Sequence, residues 1–448
     1  MTGRKVIMDF EVTPTSHTLA AYRARGGYEA LEKAIRTLQP ADVTREVVDS
    51  GLQGRGGAAF PAGRKWQGIN LEDGLPHYLI ANADEGEPGT FKDRWVLEHT
   101  PHTLVESMLV ASYALGVRHS FVYLRGEYDL PWRRLAAAIE EAYEAGYIGE
   151  NVLGSRFSTD IYVFRGAGAY VCGEASSLLG SIEGTRAYPR NRPPRMTVRG
   201  LYQLPTIVNN VETLSNIAWI VRNGAAAFRE IGTPKSPGTR LISISGHIRR
   251  PGVYEVELGY PWVKFLQEDC GGVIGGRGLK AVIPGGISSQ VLAGRNAKVV
   301  EGRDAKVVLA NAVEHLTLDH ESLKDAGSGM GSGGMIVIAE GTCMVRLLQI
   351  MMRFYHHESC GQCTPCREGM GWMHRVLDRI VAGEGRPEDI DTLYYVSRFN
   401  DGTTICGLGD AAGYAAMAIL DTFRHEFEHF IEHKRSMYDG NLECRPSS

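Results

Sequence analysis

Apolar positions recur along this chain with two different periods, and the change of period divides it. Over residues 18–50, Leu31, Ala34, Ile35 and Leu38 fall three or four apart, the spacing that lines one face of a helix. Pro40 ends that helix, and Ala41-Asp-Val-Thr-Arg-Glu-Val-Val opens another. Beyond the Gly-rich stretch 51–63, short apolar runs alternate with helical patterns. His77-Tyr-Leu-Ile-Ala-Asn, His119-Ser-Phe-Val-Tyr-Leu and Asp160-Ile-Tyr-Val-Phe predict strands, with helices over 101–116 and 131–146. Such alternation predicts an α/β domain on a mostly parallel, covered sheet, whose polar strand ends are where ligands bind.

The pattern changes at Gly232-Thr-Pro-Lys-Ser-Pro-Gly, a turn-rich linker. Residues 239–320 carry short β-type runs, Arg240-Leu-Ile-Ser-Ile-Ser, Gly252-Val-Tyr-Glu-Val and Lys280-Ala-Val-Ile-Pro, with a helix near 261–268. A loop at Gly327-Ser-Gly-Met-Gly-Ser-Gly-Gly leads into a strand, Met335-Ile-Val-Ile. The 3.6-residue period then returns over 342–357, 367–382, 387–398 and 409–434, which predicts a C-terminal four-helix bundle. Three domains are expected: 1–235, 236–325 and 326–448.

With 43% apolar residues, 448 residues bury two or three cores. A formal net charge of −4 without basic clustering argues against a nucleic-acid partner. No run of 18 apolar residues occurs, so direct membrane insertion is not expected. The first residues lack the apolar core of a signal peptide, and a cytoplasmic chain is expected. Eight cysteines in so long a chain suit metal thiolates in a reducing compartment better than a disulfide scaffold.

Three of those cysteines stand in Cys360-Gly-Gln-Cys363-Thr-Pro-Cys366. Thiolates at this spacing wrap one corner of an iron–sulfur cube, and a distant fourth closes it. The bacterial ferredoxin run would continue at position 370, which is Met370. Cys406, in the Gly-flanked Thr404-Ile405-Cys406-Gly407-Leu408-Gly409, is the expected fourth ligand of a [4Fe–4S] cluster. The competing reading is a structural zinc site, but such sites usually show two separated C-x2-C pairs. Cys172, Cys270, Cys343 and Cys444 lack this spacing and read as bystanders. His356 and His357 read as surface or supporting residues.

Gly54-Arg55-Gly56-Gly57-Ala58-Ala59 matches G-x-G-x-x-A, but a helix precedes it rather than a strand, so alone it reads equally as a tight turn. Flanking Arg55 and Lys65 make backbone lying flat along a cofactor and its phosphate the functional reading. Gly166-Ala-Gly-Ala-Tyr170-Val-Cys-Gly173-Glu174 is a second Gly-rich loop at a strand end. Asn209-Asn210-Val-Glu-Thr213 suits ring edges, ribityl hydroxyls or a phosphate. Asn82-Ala-Asp84-Glu85-Gly-Glu87 is a candidate clamp on ribose or nicotinamide. Singly each is more often a cap or a turn; together in one α/β domain they favour a cofactor.

With the Glu358-Ser-Cys-Gly-Gln-Cys-Thr-Pro-Cys-Arg-Glu-Gly run, and in this order, these motifs resemble the flavin-bearing, NADH-oxidising subunit of respiratory complex I. Related subunits serve NAD-reducing hydrogenases and NAD-dependent formate dehydrogenases. The resemblance spans nearly the whole chain. It implies a Rossmann-like FMN domain, then a ubiquitin-like β-grasp domain, then the cluster-bearing bundle. It implies FMN on Gly54, Arg55, Gly56, Lys65, Asn82, Asp84, Glu85, Tyr170, Gly173, Glu174, Val208, Asn209, Asn210 and Thr213. It places Glu87 at the nicotinamide as the catalytic-site carboxylate, with Phe60, Ala175 and Arg195 also on the NAD(H) or NADP(H) side. The [4Fe–4S] cluster falls to Cys360, Cys363, Cys366 and Cys406. Implied partners are a thioredoxin-like [2Fe–2S] subunit and a large multi-cluster iron–sulfur subunit, in a membrane-associated or soluble complex. A flavin converts hydride into single electrons, so a quinone-linked NADH dehydrogenase is the expected activity.

The chain also departs from that family. Ala59 stands where the first loop usually ends in Gly, and Ala175 where a second Glu is common. Gly68 and Arg195 stand where aromatics are usual. In that family the second Glu and those aromatics border the adenosine half of the nucleotide, so relaxed discrimination between NADH and NADPH is expected. Alternatives are the equivalent subunit of a hydrogenase or formate dehydrogenase, and a cluster-bearing relay subunit that no longer takes nucleotide.

Overall fold

In the computed structural model, which describes residues 3–294 and 315–438, four parallel strands form the centre of the N-terminal half. They are β1 (His77–Ala83), β2 (Val117–Leu124), β3 (Asp160–Arg165) and β4 (Thr206–Asn210), in the order β3-β2-β1-β4. β1 therefore has β2 on one side and β4 on the other, and the strand order reverses between β1 and β4. Crevices outside the carboxyl ends of strands at such a reversal are the usual ligand sites of open α/β sheets.

The chain divides into two compact units. The first holds residues 1–86, 90–243 and 253–260; the second holds 87–89, 244–252 and 261–448. In the first, helix Pro101–Leu115 buries every residue except Tyr113. It packs against β1, β2 and the helices Glu29–Thr37, Pro40–Ser50 and Asp129–Glu144. An all-round apolar helix is what a central position demands. Its one carboxylate, Glu106, is buried and accepts from Ala30 N–H at 2.9 Å, Leu31 N–H at 3.2 Å and the Tyr22 hydroxyl at 2.5 Å. It thus satisfies the free N–H groups that open helix Glu29–Thr37.

The predicted strands lie within a residue or two of those observed, and most of the predicted helices likewise; the exceptions are the cysteine helix described below and the first predicted helix, which is observed as two, Leu19–Arg23 and Glu29–Thr37. Among the elements missing from the prediction are β4, helix Lys92–His99 and helix Ala175–Ile182. β4 is five residues ending in two Asn, too short and polar to show an apolar run. Lys92–His99 opens on two charged residues that are buried, which inverts the pattern expected of a helix face.

In the second unit, strand Gly334–Ala339 pairs antiparallel with Leu279–Ile283, which also pairs with Leu292–Ala293. Helices Met344–Glu358, Thr364–Val381, Glu388–Asn400 and Gly407–His433 each pack on the next, and the first also packs on the last. Glu426 of the last helix accepts from Met344 N–H at 2.9 Å and pairs with Lys280. No helix among the described residues is long and apolar enough to cross a membrane. Cys444 lies outside the described residues.

Removing the Glu106 carboxylate strands two backbone donors and one hydroxyl. Glu106→Ala is expected to lower unfolding free energy by roughly 3 kcal/mol or more in urea melts, and Glu106→Gln, which keeps an acceptor, by less. An Ala variant within about 1 kcal/mol of native would show that the cap is dispensable.

Candidate functional site

Four loops of the first unit converge where β1 and β4 end. β1 pairs with β4 through Ala81–Asn209 and Asn82–Asn210. The Asn82 side-chain amide donates to Gly173 O at 2.9 Å, and its oxygen accepts from Asp84 N–H at 3.1 Å. A Cβ on Gly86 would stand 3.1 Å from the Tyr170 ring, and one on Gly56 2.9 Å from Asn210 Cβ. The loops 54–57, 82–86, 170–173 and 209–213 are thus locked edge to edge by glycines that let backbone approach.

The first Gly-rich loop is held from both ends. Gly54 N–H donates to Phe60 O at 2.9 Å, and Arg55 N–H to Thr213 Oγ1 at 2.8 Å. At Gly57, with φ +137°, a side chain would enter open space. Ala59, where a glycine is usual in the resembled family, holds φ +52°, a left-handed backbone that costs a residue with a Cβ. Lys65 donates to Val208 O at 3.0 Å; burial, with Arg192 nearby, pushes its ammonium below the ordinary lysine range. Trp66 Nε1 donates to Asn209 Oδ1 at 3.0 Å.

Two of the expected contact residues face inward. The Arg55 guanidinium is fully buried and donates to Pro237 O at 3.0 Å, while its Nε and second terminal nitrogen have no hydrogen-bond partner. Burial, then Arg240, pushes its pKa down to about 10. Only the Arg55 backbone is therefore available on the loop. Glu85 accepts from Asp93 N–H at 2.9 Å, Arg94 N–H at 3.0 Å and the Tyr128 hydroxyl at 2.9 Å. Burial, then the Asp93 carboxylate, pushes its pKa up to about 7.

Beneath these loops lies a charge cluster that sequence reasoning missed. Lys92 Nζ pairs with Asp93 at 2.7 Å and Glu212 at 2.8 Å, all three buried. Asp93 accepts from the Asn210 amide at 2.6 Å, and Glu212 from Leu241 N–H at 2.8 Å. Glu212 sits inside the Asn-Asn-Val-Glu-Thr motif, which was its one signal in the sequence.

On the other flank, Glu174 caps helix Ala175–Ile182 through Ser176 and Ser177 N–H and pairs with Arg192 at 3.1 Å. Ala175 opens the helix half-buried; Phe60 and Arg195 are exposed. Glu87 belongs to the second unit, where its Oε1 accepts from Ser288 N–H at 2.8 Å.

The cysteine loop joins two helices, but not as a loop alone. Helix Thr364–Val381 begins three residues earlier than expected, because Pro365 suits a first turn. Cys363 is its N-cap, and Cys366 lies in its first turn. Cys406 is the N-cap of Gly407–His433. Ile405 N–H donates to Cys363 Sγ at 3.4 Å, which brings the Cys406 loop to the first three cysteines. Ser359 Oγ lies 3.2 Å from Cys366 Sγ. Burial, then Ser359 in opposition, sets the Cys366 thiol, and the nearby Cys360 and Cys363 push it further up; the net direction is upward. Among the described residues no three His, Cys, Asp or Glu side chains converge on a single-ion position; a cube, with ligands at four corners, does not require that. Cys172, Cys270 and Cys343 are buried and form no disulfide.

Residues 47–219 match a family model described as the Nuo51 FMN-binding domain, and residues 346–430 one described as the NADH-ubiquinone oxidoreductase-F iron–sulfur binding region. The chain is 46% identical over 422 residues to an F-type NADH-quinone oxidoreductase subunit of Rhizobium meliloti, covering 94% of this chain and 96% of that protein. It is 44% identical over 393 residues to the mitochondrial NADH dehydrogenase [ubiquinone] flavoprotein 1 of Dictyostelium discoideum, covering 87% and 79%. Among solved structures, an NAD+-reducing [NiFe]-hydrogenase in the H2-reduced state aligns with a TM-score of 0.79 at 32% identity, over 94% of this chain and 68% of that one.

Cys406→Ser is expected to lose labile sulfide and the reduced-cluster EPR signal, whereas Cys172→Ser keeps both; zinc without sulfide in the native protein would refute the cluster. Glu85 gives a second expectation. Its folded pKa, about 7, lies above the ordinary 4.5 of a glutamate, so the folded state holds the proton longer. Stability from this group is present at low pH and lost as pH rises through 7. Glu85→Gln should flatten that decline in urea midpoints measured between pH 5 and 8; an unchanged slope would show that Glu85 does not titrate there.

Proposed function

The chain belongs to the family of F-type NADH-quinone oxidoreductase subunits, and from that premise we infer that it is an FMN-dependent NADH dehydrogenase carrying a [4Fe–4S] cluster. The observation that carries this reading is the meeting of four Gly- and Asn-rich loops at the strand-order reversal between β1 and β4. The glycine backbone at 54–57 suits a flat ring, and the Asn and Lys donors suit ring edges, hydroxyls and phosphate. Bound FMN turns a two-electron hydride into single electrons, which the cluster accepts one at a time.

In this reading the backbone of Gly54, Arg55 and Gly56 lies along the flavin. Lys65, Asn82, Asp84, Tyr170, Gly173, Glu174, Val208, Asn209, Asn210 and Thr213 surround it. Arg55 and Glu85 act from behind, as buried side chains that fix the loops. Glu87 serves the nicotinamide, and Phe60, Ala175 and Arg195 the rest of the nucleotide. Orientation is what the chain supplies, since hydride transfer asks for no acid–base side chain. Cys360, Cys363, Cys366 and Cys406 hold the cluster in a helical bundle, 326–448, that follows a ubiquitin-like domain, 236–325. A thioredoxin-like [2Fe–2S] subunit and a larger multi-cluster subunit complete the module. Quinone-oxidoreductase relatives at 44–46% identity, against 32% for the hydrogenase, favour complex I-type electron input.

The nucleotide choice follows from the N-terminus of helix Ala175–Ile182. A carboxylate at the adenosine ribose accepts from the 2′-hydroxyl and repels a 2′-phosphate. Position 175 offers none, and Glu174 is occupied by its capping bonds and Arg192. Exposed Arg195 lies among Arg186, Arg190, Arg192 and Arg199, of which Arg190 and Arg192 have ion-pair partners. A guanidinium there forks onto phosphate oxygens. Such a contact contributes roughly 1.5–3 kcal/mol, where tenfold in affinity needs about 1.4 kcal/mol.

The purified chain is therefore expected to reduce ferricyanide with NADH and appreciably with NADPH. Ala175→Glu and Arg195→Phe should each shift kcat/KM toward NADH. A native preference for NADH above about a hundredfold, or variants that leave the ratio unchanged, would sink the NADPH reading. No flavin bleaching with either nucleotide under anaerobic conditions would sink the dehydrogenase reading itself.

A further inference from the structure

Two helices of the second unit flank the cysteine loop. Helix Met344–Glu358 ends at Ser359, its C-cap, and helix Thr364–Val381 carries Cys366 in its first turn. Gly361, at φ +83°, turns the chain between them in a backbone conformation that suits glycine. The turn sets Ser359 Oγ 3.2 Å from the buried Cys366 Sγ, a hydrogen-bond distance for sulfur. Gly361 N–H donates to the same Oγ at 3.4 Å. Arg367 holds the turn from its other side, donating to Gly361 O at 2.8 Å.

The direction of the Ser359–Cys366 bond follows from the chemistry of ligation. Between a hydroxyl and a thiol either atom can donate. A cysteine that ligates iron has given up its proton, so its sulfur can only accept. A serine hydroxyl has one proton to give and two lone pairs, one of which Gly361 N–H occupies. The hydroxyl is then the donor of this contact and Cys366 Sγ its acceptor. The neighbouring Cys363 Sγ accepts from the backbone, Ile405 N–H at 3.4 Å. That donor exists whichever non-proline residue stands at 405, whereas the donor at 359 depends on a hydroxyl side chain.

We propose that Ser359 tunes the cluster through Cys366: its hydroxyl donates to the ligand sulfur and raises the reduction potential of the [4Fe–4S] group. Reduction adds one electron, and the added negative charge spreads onto the sulfurs. A hydrogen bond to sulfur strengthens with that charge and so favours the reduced form. The electron comes from the reduced flavin. No covalent bond forms or breaks, and the serine proton stays on Oγ. The contact thus helps the cluster accept electrons from the flavin. The proposal rests on the reading of Cys366 as a cluster ligand, and the test separates the two.

The test is an EPR-monitored redox titration of the cofactor-loaded chain at one fixed pH, with flavin potential, iron and labile sulfide measured on the same samples. The proteins compared are native, Ser359→Ala, Ser359→Gly and Ser359→Thr. Ser359→Ala and Ser359→Gly should keep iron, sulfide and the reduced-cluster signal. Their one-electron equilibrium should shift three- to tenfold toward the oxidised cluster, a midpoint lower by about 30–60 mV at about 59 mV per tenfold. The flavin midpoint should stay native. Ser359→Thr, which keeps the hydroxyl, should recover most of the shift. A native or raised cluster midpoint in Ser359→Ala would overturn the proposal, as would a Ser359→Thr midpoint as low as that of Ser359→Ala. An equal fall in the flavin midpoint would mark a general disturbance and overturn it. Loss of the cluster in both Ser359→Ala and Ser359→Gly would mark a merely structural role and do the same. Native protein without labile sulfide would overturn the cluster reading and the proposal with it.

Discussion

A single buried ammonium organises the first unit. Lys92 stands between Asp93 and Glu212, and no member of the trio is solvated. Desolvating three charges is costly, and the arrangement holds only because each carboxylate finds further donors. Asp93 takes the Asn210 amide, and Glu212 takes Leu241 N–H. The Asp93 and Arg94 N–H groups close on Glu85. The trio therefore ties helix Lys92–His99 to the end of β4 and to the turn after β1, which are two of the loops that meet at the strand-order reversal. A partly satisfied network of this kind would be worse than an apolar core; a satisfied one gives the loops a single geometry.

That rigidity is what a flavin site asks of its protein. Cofactor chemistry needs orientation more than proton transfer, and orientation comes from backbone that does not move. The Gly54–Gly57 loop is pinned through Thr213, and Asn82 through Gly173. In the second unit the same logic recurs with thiols. Cys363 and Cys406 cap two helices, Cys366 sits in a first turn, and backbone N–H reaches sulfur from Ile405. Donors to sulfur and helix N-termini both favour the negative charge a thiolate cluster carries.

Much of this was legible in the residues. The cysteine spacing carries its chemistry in seven positions, because a cube fixes how far apart its ligands can lie. The parallel strands showed as short apolar runs, since sheet faces covered by helices are apolar throughout. What stayed hidden was polar and buried. β4 shows no apolar run because only two of its residues, Ile207 and Val208, are apolar. Lys92 and Asp93 are charged residues with no apolar pattern to mark them, yet they are interior. Arg55 reads as a phosphate contact from its place beside glycines, yet its guanidinium is sealed behind the loop.

The sequence by itself determined most of the element types and the family, and pointed to the cluster ligands, because periodicity, thiol spacing and ordered motifs are local properties of the chain. Which side of a loop each charge faces was decided only by tertiary structure. A carboxylate or guanidinium within a motif can turn outward to a ligand or inward to a partner far along the chain, and the choice depends on whether that partner arrives. Glu85 found Tyr128, Arg55 found Pro237, and Lys92 found Glu212, more than a hundred residues away.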